Sequence, residues 1–235
     1  MNIPCLRNLA VLAIAISLPV AGCAPTKMVK SEQYSGFLSN YSMLKEVKDA
    51  DGQPVMRYIN PRLDSGDYSK IIIDPVTFYP APVPDENVDS QTLSEIKDYF
   101  DNALREKIGE KATVVDKAGP DVVRMRVALT AVASQTEGLK FYQYIPVALA
   151  VQGVKAAAGA RPKQAYLNAE LEMLDSESGA LLGEAVKKGT GTTVEKEKEG
   201  EYKGKKMVAL DNLKPVLDQW ATQAANFVGQ ALGKR

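Results

Sequence analysis

Two pairs of like-charged residues have the spacing of side chains that share one face of a strand. Glu170 and Glu172 are two apart in an alternating segment, so in a strand both carboxylates point the same way, as a glycosidase or a carboxylate metal site requires. Arg124 and Arg126 repeat that spacing in another alternating segment. Cross-strand ion pairs, each contributing about 0.2–1 kcal/mol, therefore account for all four side chains without catalysis. Asp98 with Asp101, and Asp64 with Asp67, read as solvated acids. The chain contains no histidine, which removes the commonest general base, the usual activator of a serine nucleophile and the usual zinc ligand together. Gly189-Thr-Gly191 and the stretch from Gly153 to Gly159 match neither phosphate-loop pattern, because no strand, Gly-x-x-x-x-Gly-Lys-Ser/Thr and helix coincide. The expectation is a protein with no catalytic residues, no metal and no cofactor, hence not an enzyme. The alternative is a cell-wall glycan-binding protein or a carboxylate-dependent glycan hydrolase, with Tyr166 and Tyr202 as aromatics near Glu170.

Hydrophobic periodicity defines the elements that carry these residues. Tyr68 to Tyr79 reads as a strand with the run Ile71-Ile72-Ile73 and an irregularity at Pro75, which cannot donate to a ladder. A helix is expected from about Gln91 to Ile108, capped by Ser90 or Thr92 and ended at Gly109, with Leu93, Ile96, Phe100, Leu104 and Ile108 as one apolar stripe. Ala112 to Asp116 and Val122 to Ser134 read as strands. In the second, Val123, Met125, Val127 and Leu129 alternate with Arg124, Arg126, Ala128 and Thr130, so one face should be buried and the other wet. Gln164 to Leu174 alternates in the same way and turns at Ser176-Glu-Ser-Gly179 into Leu181 to Val194. The charged stretch Glu195 to Lys206 reads as a loop. A closing helix is expected with Asp211 or Asn212 as cap, Pro215 in its first turn, and a wide apolar face that includes Leu213, Leu217, Trp220, Ala224 and Phe227. Together these imply an α+β fold in two layers, a mixed sheet of about five strands with two helices packed on one face.

The chain opens with a single cation, Arg7, then a run from Leu9 to Val20 that is apolar except for Ser17, then Ala21-Gly22-Cys23. That order is the plan of a secretory signal. The run is about twelve residues, short for the roughly 30 Å of a bilayer's hydrocarbon. Val20-Ala21-Gly22-Cys23 resembles the lipobox of bacterial lipoproteins, which implies cleavage between Gly22 and Cys23 and acyl chains, palmitate among them, on Cys23. Residue 24 is Ala rather than Asp, and resemblance to enterobacterial sorting patterns then implies the outer membrane, with the domain facing the periplasm and surface display left open. Several acyl chains, at about 0.8 kcal/mol per buried methylene, make a stable anchor. Losing Arg7 takes the bases from 29 to 28 against 29 acids, and near neutrality argues against nucleic acid as a partner. Cys5 leaves with the signal and Cys23 is acylated, so the folded part has no free thiol. Three segments are expected: a signal peptide over 1–22, a lipidated tether and partly docked extended arm over 23–65, and a single domain over 66–235.

One apolar segment has no obvious place in that domain. It runs from Phe141 through Tyr142, Tyr144, Ile145, Val147 and Leu149 to Val151, and is extended to Ala160. The uninterrupted part, Ile145 to Val151, is too short to cross a bilayer. A connecting arm over the domain's own core, a contact with a protein partner, and a dip into the membrane interface all remain open. Of these, the partner contact bears on function: an envelope protein or a second copy of the chain.

Ser35-Gly-Phe-Leu38 with Tyr41-Ser42 and Leu44, Arg57-Tyr-Ile-Asn-Pro61, Tyr68 with Lys70, Asp74-Pro75-Val76 and Tyr144-Ile-Pro146 together resemble the domain-of-unknown-function 3313 lipoproteins of proteobacteria. The resemblance covers most of the chain after Cys23. It implies an envelope lipoprotein and carries no catalytic residues with it. The element order is more loosely similar to small periplasmic α/β domains such as transport-auxiliary lipoproteins, a likeness of fold alone. The functional expectation is a non-enzymatic binding or assembly module of the cell envelope.

Overall fold

The computed structural model describes residues 29, 31–61, 63, 66–84, 88–136, 163–194 and 207–233. They form one mixed sheet of eight strands with two helices: β1 (Lys45–Lys48), β2 (Pro54–Ile59), β3 (Lys70–Ile73), β4 (Thr77–Phe78), α1 (Ser90–Gly109), β5 (Thr113–Val114), β6 (Val122–Thr136), β7 (Lys163–Asp175), β8 (Leu181–Val194) and α2 (Leu210–Ala231). The spatial order is β1-β2-β8-β7-β6-β3-β5, with β4 beside β6 farther along the same edge as β3. The long central strands β6, β7 and β8 are antiparallel, whereas β3 and β4 run parallel to β6.

The α+β class and the helix-covered sheet are as the periodicity implies, but the sheet has eight strands rather than about five. Two of the extra strands, β1 and β2, come from the segment before residue 66 and extend the sheet beyond β8. Another arises because the segment expected as a single strand divides into β3 and β4. Pro75 has no N–H to give β6, and the next amide, Val76, donates instead to Asp101 Oδ1 on α1 at 2.8 Å. Asp101 also accepts from Arg105 Nε at 2.8 Å, and Arg105 reaches the Ile73 carbonyl at 2.9 Å. Asp101 is thus a bolt between α1 and the strand break rather than a solvated acid.

α1 buries the expected stripe, Leu93, Ile96, Phe100, Leu104 and Ile108. Its cap is Asp89 rather than Ser90 or Thr92. Asp89 is still extended, and its carboxylate accepts from Thr92 N at 2.7 Å, which satisfies one orphan amide of the first turn. α2 begins one residue before the expected caps, after extended Ala209, whose N–H donates to Asn212 Oδ1 at 2.8 Å, and Pro215 lies past its first turn. The helices pack on the same sheet face and meet at Phe100 and Trp220, whose ring centroids are 6.2 Å apart. Among the described residues, no helix is long and apolar enough to cross a membrane.

The opposite sheet face, expected to be wet, is covered at its centre. Val29, Leu38 and Leu44 of the N-terminal arm pack with Val186, and Tyr34, Phe37, Tyr41, Met56 and Tyr58 complete this second cluster.

Candidate functional site

Beneath the arm lies a row of ionisable residues. The register aligns Tyr58 on β2, Glu184 on β8, Glu172 on β7 and Arg126 on β6 as successive cross-strand partners. Glu170 stands two residues along β7 on the same face. Glu170, Glu172 and Glu184 are 0%, 3% and 1% exposed, a burial that demands partners for each charge. Glu172 has Arg126 Nη1 at 2.8 Å, and the guanidinium in turn lies 5.0 Å from the centre of the Phe37 ring. Glu170 accepts from Ser35 N and Ser35 Oγ, each at 2.8 Å, and from Tyr41 Oη at 2.6 Å. Burial and the bond to Glu170 push the Tyr41 phenol up to about 12, so it remains a donor at physiological pH. Among the described residues, neither oxygen of Glu184 has a hydrogen-bond partner. Burial, then the charges of Glu172 and Glu170, push its carboxyl up to about 7.

These contacts revise the sequence reading of the charge pairs. Arg126 pairs with Glu172 as expected, but Arg124 stands opposite Leu174 and binds Asp74, at 2.9 Å, instead of Glu170. The two glutamates share a face, as their spacing requires, but that face is sealed by the arm. With Ser35, Tyr41 and Arg126 in place, they present no carboxylate to a substrate, and among the described residues no acidic cluster is arranged to hold a metal.

The helix-covered face holds a cavity of about 440 Å³ between α2 and the sheet. Its origin is a change in how small residues are used along β8. A Cβ on Gly189 would collide with Val216 and Trp220, and one on Gly191 with the Asn212 backbone. The first half of α2 therefore sits directly on bare backbone, and this is what the two glycines are for. Farther along, Gly183 and Ala185 on β8, Ala169 on β7 and Ala224 on α2 are again small, but here they bound open space. Phe100, Leu104, Val127, Leu171, Met173, Trp220 and Phe227 supply the apolar walls. Leu104 and Met173, each 1% exposed, bring the cavity down to the core.

The rim is polar. Lys187 lies over the Trp220 ring at 5.8 Å, donates to Gln223, and pairs with Asp49 of the β1–β2 turn at 2.8 Å. Burial raises the Asp49 carboxyl, but Lys187 and the Gln53 amide outweigh it and leave the carboxyl below its ordinary value. Arg57 on β2 lies over the Phe227 ring at 5.9 Å. Its cross-strand partner is Ala185, so Arg57 and Lys187 are diagonal neighbours on one face. Sequence reasoning missed all of these rim residues, because Arg57 and Asp49 lie in a segment read as a partly docked extended arm rather than as strands of the sheet. The one available signal was the recurrence of small residues at alternate positions, Gly183, Ala185, Gly189 and Gly191, which marks the face a helix approaches.

Gly22, Cys23, Phe141, Tyr142, Tyr144, Ile145, Val147 and Leu149, the expected processing, lipidation and contact residues, lie outside the described residues, as does Tyr202.

Among solved structures, the chain is similar to the PelC dodecamer from Paraburkholderia phytofirmans, with 15% identity, a TM-score of 0.32, and coverage of 77% of this chain and 97% of that one. It is similar to protein XCC0632 from Xanthomonas campestris at 12% identity and a TM-score of 0.38, covering 75% of this chain and 90% of that one. Likeness at this level bears on neither ligand nor partner. In sequence the chain is 36% identical over 217 residues to the protein described as uncharacterized lipoprotein YdcL of Escherichia coli strain K12, covering 92% of this chain and 94% of that protein. With this relative and a match over residues 33–224, the chain belongs to the family described as protein of unknown function DUF3313.

Proposed function

We propose that the protein is a non-enzymatic, lipid-anchored binding module of the cell envelope, held at the outer membrane by acylated Cys23 with its domain toward the periplasm. The α2 cavity is the observation that carries the binding role. It is within the few hundred to about 1,000 Å³ of small-ligand pockets, is walled by apolar and aromatic side chains, and has a few polar groups gathered at one rim. The lipobox and the lipoprotein relative support the anchor. The hydrolase alternative has less support, because Glu170 and Glu172 are buried and already engaged.

Intact mass and membrane fractionation of the chain made in a bacterium, alongside Cys23→Ser, test the anchor. The expected result is an acylated outer-membrane product that becomes an unlipidated precursor in the mutant. Unlipidated, soluble wild type would refute it. In-cell cross-linking tests the binding role through an envelope component whose recovery is lost on filling the cavity with Ala185→Leu; recovery unchanged by that substitution would move the binding surface elsewhere.

A further inference from the structure

We infer that the cavity under α2 takes a single-tailed organic monoanion, its apolar body beneath Ala224 and its acid group at Arg57. The inference rests on the reading of the cavity as a binding site and adds the chemistry of the ligand.

Charge at the rim sets the valence. Lys187 is matched by Asp49 at 2.8 Å and adds no net charge. Among the described residues Arg57 has no carboxylate partner, and its guanidinium lies against the Phe227 ring. Lys48 also lines the rim but is exposed, at the end of the strand that leads into the turn carrying Asp49. Arg57 is the lining cation set against the apolar wall without a carboxylate, so one acid group finds one partner there, on the side chain best suited to gripping a carboxylate or sulfonate with two parallel hydrogen bonds. A ring face beneath the guanidinium leaves its edge free for that grip.

Shape sets the body of the ligand. The hollow is made by residues without side-chain bulk, Gly183 and Ala185 from the sheet and Ala224 from the helix, and its floor reaches the core at Leu104 and Met173. A floor of that kind gives a polar body no hydrogen-bond partners, so a sugar or a nucleotide would lose its hydration without replacement. An alkyl or aryl body loses only unfavourable contact with water. An uncharged apolar molecule would fill the floor but leave Arg57 unused.

The only tryptophan of the chain, Trp220, lines the cavity and reports on it directly. The test is a titration of the full chain, as the cell makes it, in phosphatidylcholine nanodiscs, with octanoate and with 1-octanol, read by Trp220 emission against empty discs. Saturable binding of octanoate is expected, with 1-octanol at least about tenfold weaker, the loss of one charge-assisted contact. Arg57→Gln should bring octanoate down to the level of 1-octanol and leave 1-octanol unchanged. Ala185→Leu, which fills the floor, should weaken both; Ala224→Leu fills it from the helix side if circular dichroism shows the first variant misfolded. Equal affinity for the two probes, or a preference for octanoate that survives Arg57→Gln, overturns the monoanion while leaving an apolar binding site. No saturable response to either probe overturns both.

Discussion

Glu172 and Glu184 stand directly opposite each other on β7 and β8, both buried, and only Glu172 has a cation, Arg126 at 2.8 Å. Like charges in that position destabilise a sheet, and a lone buried carboxylate costs more again. The arrangement is relieved below about pH 7, where Glu184 holds its proton: burial, then the neighbouring Glu172 and Glu170, push its carboxyl up to about 7.

A pH dependence of stability follows. Between the ordinary carboxyl value of 4.5 and about 7, Glu184 binds its proton more tightly in the folded chain than in the unfolded one. Its contribution is therefore complete below the lower value and is lost as pH rises through the upper one, at no more than about 1.4 kcal/mol per pH unit. Urea midpoints should fall from pH 5 to pH 8 in the wild type, and Glu184→Gln should flatten that slope. An unchanged slope in the variant would assign the dependence to other groups.

Removing the cation leaves both facing carboxylates unmatched. Arg126→Gln should cost about 1–3 kcal/mol, below the range for fully buried pairs because the arginine side chain is 41% exposed. Adding Glu172→Gln should restore much of the loss. A double-mutant cycle of urea unfolding measures the coupling, and additivity would mean that the pair does not interact.

Glu170 gives the arm a polar fastening beside its apolar packing on Val186. Tyr41→Phe deletes the 2.6 Å bond to Glu170 and the acceptor of the Gly36 and Leu38 amides, and leaves the two bonds from Ser35 to Glu170, so the expected cost is about 1–3 kcal/mol. Hydrogen exchange should quicken over residues 31–44 while the amides of β7 stay protected. Uniform quickening would show that the arm and the sheet open as one unit.

Close helix packing predicts opposite outcomes for two glycines. Gly189→Ala drives a methyl into Val216 and Trp220 and should lower stability by about 1–3 kcal/mol. Gly109→Ala meets nothing within 4 Å at the end of α1 and should be neutral or slightly stabilising. Thermal midpoints of the two variants, measured side by side, decide it.

The sequence by itself determined what depends on near neighbours along the chain. The stripe of α1, the alternation of β6 and β7 and the turn before β8 follow from the periods of 3.6 and 2 residues, which burial on one face imposes. It also put Glu170 and Glu172 on one face. Which partner each charged residue found was decided by register and by contacts across more than a hundred residues. A register offset by two residues would have set Arg124 against Glu172; the observed one sets it against Leu174 and leaves it to Asp74. The partners of Glu170 lie 129 and 135 residues away, in an arm that carries no strand pattern there. The cavity likewise belongs to no single segment, since small residues on β7, β8 and α2 make a hollow only where packing sets them face to face. Local periodicity fixes which side of an element is buried, but only the tertiary arrangement decides what it is buried against.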